Sequence, residues 1–207
     1  MNFKVTCLVF IFLIGTLSHV YCNKRDSVKI LVIGNSLLAY NHLPSKLDSV
    51  LHDYNNNVTI DYLLQNGFSL KDWYRIISSQ KKYAENYDIV LLQNNSFAND
   101  SIDRYIGLFC RYFNSNKTKY VLVFQNYSIY DFSKNAYYDN FEQISKITNK
   151  IQLIDKRIII VTVGKSFFEF YKKHGSTELI MSVDKHPTSI GTHIILGQIL
   201  ETLKRII

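Results

Sequence analysis

Ser36, His186 and Asp184 are the side chains in this sequence whose types and surroundings could do covalent chemistry. Ser36 closes the stretch Lys29-Ile30-Leu31-Val32-Ile33-Gly34-Asn35-Ser36, an apolar run that stops abruptly at Gly-Asn-Ser. His186 lies near the other end of the chain, in Asp184-Lys185-His186-Pro187-Thr188, with Gly191 shortly after. A serine hydroxyl attacks an acyl carbon effectively only when a base accepts its proton. Histidine does this near neutral pH, and a carboxylate fixes the ring tautomer and steadies the imidazolium. Ser36 is the candidate nucleophile and His186 the candidate base. Asp184, two residues upstream, is the candidate acid, within reach of Nδ1 from the same loop. Taken singly, Gly-x-Ser suits an ordinary strand-ending turn and Asp-x-His an ordinary surface loop; the pair gives each its weight.

Acyl transfer also needs donors aimed at the oxygen that becomes negative. Two segments could supply them alongside the backbone N–H of Ser36. Gln65-Asn66-Gly67-Phe68-Ser69-Leu70 contains Gly67, whose N–H can approach a substrate oxygen closely because no side chain intervenes. Leu92-Gln93-Asn94-Asn95-Ser96 offers the Asn95 carboxamide.

These segments follow apolar runs of strand length. Five such runs recur: Val28 to Gly34, Val58 to Leu64, Asp88 to Gln93, Tyr120 to Gln125, and Arg157 to Val163. Continuous β-branched runs bounded by polar residues suit strands buried on both faces. Between them, apolar residues recur at helical spacing. Leu43, Leu47, Val50, Leu51 and Tyr54 form one stripe, with a helix expected to start near Leu43-Pro44. Ile102, Tyr105, Ile106, Phe109 and Phe113 form a second, and Phe141, Ile144, Ile147 and Ile151 a third. The last stripe runs from Thr188, a plausible cap, to Leu203. Alternation of strand and helix predicts a three-layer α/β/α sandwich with about five parallel strands in a flavodoxin-like arrangement. In such a sheet, ligands sit beyond the carboxyl ends of the strands, where Ser36, Gly67 and Asn95 all fall.

The 207 residues suffice for one domain with a full core, and 47% hydrophobic content is globular. Residues 1–22 read separately. Lys4 precedes an apolar stretch from Val5 to Leu17, and Val20-Tyr21-Cys22 offers a cleavage site before Asn23. This predicts an exported protein with a signal peptide at 1–22 and a mature domain at 23–207. A retained N-terminal anchor, or a lipid on Cys22, is the alternative that would bring the chain to a membrane. Cys110 lies in an apolar stripe and reads as packing rather than as a catalytic thiol. The net charge of +7 is scattered, without a basic stripe interleaved with aromatics, so no nucleic-acid partner is expected. No metal-ligand spacing and no phosphate loop is present, and no cofactor is expected. His42, His52, His174 and His193 are assigned to rim, surface or packing.

Together these motifs resemble the SGNH hydrolase superfamily, the GDSL-type esterases, which carry Ser, Gly, Asn and His in dispersed blocks in that order. Gly34-Asn35-Ser36-Leu37 is similar to its first block, with Asn35 for the usual Asp. Gly67, Asn95 and His186-Pro187 stand where the other three blocks fall. The likeness is closest to a subgroup with Gly-Asn-Ser, then Asn-x-Leu-Pro, here Asn41-His42-Leu43-Pro44, and then Leu-Gln-x-x-Ser, here Leu92 to Ser96. It spans Lys29 to about Leu200. Two positions depart from the pattern. Val183 stands where the block's Asp stands three residues before His, and Gln93 replaces a Gly, so that its amide could face the pocket. The resemblance implies a secreted serine esterase acting on a small ester or an acylated carbohydrate, with short acyl groups such as acetyl removed. A non-catalytic binding module on the same fold is the competing reading. A flavin or nucleotide domain is disfavoured, because the loop after the first strand lacks a Ser/Thr/Gly-rich phosphate cradle.

Overall fold

The computed structural model describes residues 27–84, 86–95, 102–113, 117–127, 134–175 and 178–207. The segment expected to be a signal peptide, Cys22 within it, and Ser96 lie outside those residues.

In chain order the elements are β1 (Val28–Gly34), α1 (Ser36–Ala39), a 3₁₀ turn (Tyr40–His42), α2 (Leu43–Tyr54), β2 (Val58–Leu64), α3 (Leu70–Ile77) and α4 (Lys81–Ala84). There follow β3 (Ile89–Leu92), α5 (Ile102–Tyr112), β4 (Tyr120–Phe124), α6 (Lys134–Gln152), β5 (Ile158–Val161), α7 (Val163–His174) and α8 (Ser189–Lys204). The strands form one parallel sheet in the order β2-β1-β3-β4-β5. They fall within a few residues of the five apolar runs.

Side chains alternate across the sheet as strand geometry requires. Ile30 and Val32 face a core shared with Leu47, Leu51, Phe167, Ile195, Ile199 and Leu203, from α2, α7 and α8. Leu31 and Ile33 face the opposite core, with Trp73, Ile77, Ile106, Phe109 and Ile151, from α3, α5 and α6. Burial on both faces explains why the central strands read as unbroken apolar runs. Cys110 belongs to the second core, and burial pushes its thiol up to about 11, which fits packing and not nucleophilic work.

The helix expected to start near Leu43-Pro44 runs from Leu43 to Tyr54 with Pro44 in its first turn. A separate short helix precedes it, opened by Ser36 and capped by Asn35, whose side-chain oxygen accepts from the Leu37 N–H at 3.1 Å. Asn41 and His42, both left-handed (φ 51° and 58°), divide the two. Helices α1, α3, α4 and α7 lie outside the apolar stripes of the sequence reading. Of these, α3 carries a readable signal, since Ser69 and Asp72 form a reciprocal capping box.

The sheet order reverses between β1 and β3: the chain leaves β1 to build β2 on one side and returns to build β3 on the other. At such a switch point the loops part and leave a crevice beyond the strand ends. Register sets these ends level, with Gly34 opposite Leu64 and Ile33 opposite Leu92.

At the far end of the chain, α8 packs so closely that a Cβ on Gly191 would sit 2.2 Å from the Leu179 carbonyl oxygen. Gly191→Ala is expected to force these segments apart at a cost of about 1–3 kcal/mol, lowering the melting temperature by roughly 3–10 °C. Calorimetry of the variant checks this; an unchanged melting temperature would mean that the segment yields freely.

Candidate active site

Ser36 is half-buried at the first position of α1, directly beyond β1. The first N–H groups of a helix have no intrahelical acceptor, so the Ser36 amide points outward from the turn. Gly34 is required here for a reason other than turn flexibility. A Cβ on it would lie 2.7 Å from Oε1 of Gln93, which is 0% exposed. That Gln93 oxygen accepts the Asn35 N–H at 2.9 Å, and its amide donates to the Asn94 carbonyl. Gln93 therefore does not face the pocket; it is a buried brace between the ends of β1 and β3.

Asn35, 3% exposed, extends the brace to the other side by donating from Nδ2 to the Phe68 carbonyl at 3.0 Å. Trp73 Nε1 donates to the Gly34 carbonyl at 2.8 Å, and Asn94 Oδ1 accepts the Leu70 N–H at 3.0 Å. Gly67 lies in this same loop with φ 75°, a left-handed conformation that glycine adopts without strain. Asn95 donates from Nδ2 to the Gly67 carbonyl at 3.1 Å. Gly67 and Asn95 are thus bonded to each other, and Asn35, which precedes Ser36, is bonded to the neighbouring Phe68.

His186 lies on a closed loop between α7 and α8. Ile180 and Pro187 form an antiparallel bridge, Met181 N–H donates to the His186 carbonyl at 2.8 Å, and Thr188 N–H donates to the Leu179 carbonyl at 2.9 Å. The Thr188 side chain caps α8, accepting the Gly191 N–H at 3.2 Å. Asp184 Oδ2 lies 3.2 Å from His186 Nδ1, in ion-pair contact but outside good hydrogen-bond alignment, and Asp184 Oδ1 accepts the His186 backbone N–H at 3.1 Å. The one-residue shift from the family spacing is absorbed by Lys185, whose φ of 62° turns the chain back on itself. Val183, at the family's usual acid position, is 94% exposed.

The His186 backbone N–H, with smaller contributions from the His186 ring and the Tyr40 hydroxyl, holds the Asp184 carboxyl below the usual carboxylate range. A depressed carboxylate supports the fold above its unfolded pKa, and that support is lost as pH falls through the lowered value.

Tyr40, which sequence reasoning did not single out, and Asn41 of the Asn-x-Leu-Pro motif join this loop to the Ser36 segment. Asn41 donates from Nδ2 to the Pro187 carbonyl at 2.9 Å and to Thr192 Oγ1 at 2.8 Å. Tyr40 stacks on the His186 ring, with centroids 4.5 Å apart and planes 13° from parallel. The Asn-x-Leu-Pro motif was the only signal for this junction, and it carried no indication of its partner. His42, His52, His174 and His193 are exposed, and His193 Nδ1 contacts the Ser189 carbonyl at 2.7 Å. Among the described residues no group of three or more His, Cys, Asp or Glu is placed to hold a metal ion.

No protein-family model matches the sequence, and no curated protein sequence does. Solved structures do. A member of the lipolytic protein G-D-S-L family from Veillonella parvula superposes with a TM-score of 0.63 at 13% identity, over 86% of this chain and 100% of that one. The chain has the G-D-S-L fold. A carbohydrate esterase family 3 structure from Talaromyces cellulolyticus matches with a TM-score of 0.58 at 15% identity, over 86% and 97% of the two chains. The C-terminal catalytic domain of peptidoglycan O-acetyltransferase A from Streptococcus pneumoniae, solved as a methylsulfonyl adduct, matches at 0.57 and 13%, over 87% and 94%.

Where G-D-S-L proteins are named for Asp, this chain has Asn35, and its surroundings suit the amide. Asn35→Asp would face the Phe68 carbonyl with an acceptor and bury a charge. A buried carboxyl without a compensating donor has a raised pKa, so the folded form holds its proton and stability falls as pH rises above the unfolded value. Denaturant titration is expected to show the variant near wild type around pH 4 and destabilised by at least about 2 kcal/mol at pH 7. Equal stability at pH 7 would show that the Phe68 loop rearranges.

Proposed function

We propose that this chain is a serine esterase that hydrolyses short acyl esters, with O-acetyl groups on carbohydrate as the favoured substrate class. The joining of the His186 loop to the segment that Ser36 opens carries this reading. Tyr40 and Asn41 make that junction, and Asp184 lies against the far side of the imidazole from Nε2. The G-D-S-L fold supports it at the level of architecture, and the two acyl-handling neighbours support the substrate class.

In the proposed reaction Ser36 Oγ attacks the acyl carbon while His186 Nε2 takes its proton. The oxyanion is met by the N–H groups of Ser36 and Gly67 and by the Asn95 amide. The intermediate collapses, and His186 returns the proton to the departing alcohol oxygen. Water then attacks the acyl-enzyme, giving its proton to His186, and the acid leaves as Ser36 recovers its hydrogen. Asp184 keeps the proton-bearing Nδ1 turned toward itself throughout.

The decisive experiment is labelling of the purified mature domain with a fluorophosphonate, which reports an activated serine without knowledge of the substrate. Label is expected on Ser36 and absent from Ser36→Ala. A folded wild-type protein that takes no label would replace this reading with that of a binding module. On a short-chain aryl ester, Ser36→Ala and His186→Ala are each expected to lose several orders of magnitude, and the double variant little more, because the pair acts as a unit. Asn95→Ala is expected to cost about 10²- to 10³-fold, the scale of one oxyanion donor. Asp184→Asn is expected to cost well over tenfold, since the amide favours the wrong tautomer. A smaller loss would assign ring orientation to other contacts.

We further propose that the chain is exported and that residues 1–22 are removed as a signal peptide. N-terminal sequencing of the expressed protein is expected to begin at or near Asn23. An intact Met1 would indicate an anchor instead, and an acylated Cys22 a lipoprotein.

A further inference from the structure

Tyr40 occupies a position no motif assigned. It lies four residues beyond Ser36 on the same continuous segment, and its ring covers one face of His186 at 4.5 Å and 13°. Its hydroxyl points to Asp184 Oδ2, the oxygen that also lies against His186 Nδ1. One side chain from the nucleophile's segment therefore touches both members of the base-and-acid pair, with Asp184 lying 144 residues away in sequence. We propose that Tyr40 is a positioning residue for His186: its ring face holds the imidazole in plane against Asp184 and stabilises the imidazolium. This inference rests on the esterase reading for its kinetic consequences but not for its effect on the ring.

The geometry ranks the two contacts. At 3.4 Å the hydroxyl is beyond the usual 2.5–3.0 Å of an O–H···O bond, and Asp184 already accepts from the His186 backbone. The near-parallel stack is within the range of strong ring contacts, and an aromatic face attracts a cation placed over it. The ring thus contributes more than the hydroxyl. Among the described residues, the titratable groups in contact with the imidazole are Asp184 from its own loop and Tyr40 from the facing segment. Neighbouring Lys185 turns its ammonium to the Ser182 carbonyl at 2.9 Å. A carboxylate and an aromatic face are thus the groups placed to meet the positive charge that His186 takes up as Ser36 attacks.

Removing the aromatic face while keeping apolar cover separates these effects. In the full mature chain, the His186 ring proton, assigned by its loss in His186→Ala, is followed by NMR through a pH titration. Tyr40→Leu is expected to lower the His186 midpoint by about half a pH unit. Tyr40→Phe keeps the stack, deletes one donor to Asp184, and is expected to leave the midpoint unchanged or slightly higher. On an aryl ester, Tyr40→Leu is expected to lower kcat about tenfold or more with little change in KM, and Tyr40→Phe to stay within about threefold. Tyr40→Met repeats the test should the Leu variant not fold. A Leu variant that titrates as wild type overturns the proposal, as does a Phe variant that falls as far as the Leu variant. The titration needs no substrate. Absence of ester hydrolysis in wild type would therefore remove the esterase reading alone, and an unmoved midpoint would remove the role of Tyr40 alone.

Discussion

Asn35 is buried where the sheet order reverses, and it must satisfy loops on both sides of β1. Its N–H reaches Gln93 beyond β3, its side-chain amide reaches Phe68 beyond β2, and its side-chain oxygen caps the helix that Ser36 opens. An orphaned polar group in such a place costs about 1–3 kcal/mol, comparable with the whole net gain of two or three ordinary hydrogen bonds. The three loops are therefore set by one residue. The close fit of Gly34 under Gln93 follows from it, as does the presentation of Ser36.

A second seam joins the ends of the chain. Asn41, His42 and Lys185 all adopt left-handed backbone conformations on the two segments that meet there. Such residues cost of order 1–3 kcal/mol each, least for Asn. The hydrogen bonds of Asn41 and of the loop from Leu179 to Thr188 are worth about 1 kcal/mol apiece and roughly offset that strain. Burial of Leu179 and Ile180 in the adjoining core, at about 1.5–3 kcal/mol each, tips the balance toward the closed loop. The strain is concentrated where geometry matters most, on the turn that carries Tyr40 and on the turn between Asp184 and His186.

The fold was legible because its signals are local. Residues 30–33, 89–92 and 121–124 are buried on both faces, and apolar runs of that length have few other uses. The same logic places Ser36, Gly67 and Asn95 at strand ends. What escaped was tertiary. Gln93 looked like a pocket residue because its loop position is a pocket position, but its amide is consumed by Asn35 and Asn94. The short helix at Ser36 is too brief to carry an apolar stripe of its own, because it ends after four residues, ahead of the break at Asn41. Tyr40 had no signal at all: a tyrosine between a nucleophile motif and a helix start looks like rim, and its partner lies far along the chain. Helix α7 was missed because it follows β5 with only Thr162 between them, so strand and helix patterns merge.

The link between Asn41 and Pro187 spans 146 residues, most of the described chain. Closing a loop of that length carries an entropic cost, which the docking of α8 against α2 and α7 helps to offset. Ser36, Gly67 and Asn95 lie beyond the ends of the first three strands, whereas His186 lies just before the last helix. In the proposed mechanism, a polypeptide ending before His186 would hold the nucleophile and the oxyanion donors without a base, so the two ends of the chain must meet before the proposed chemistry can run.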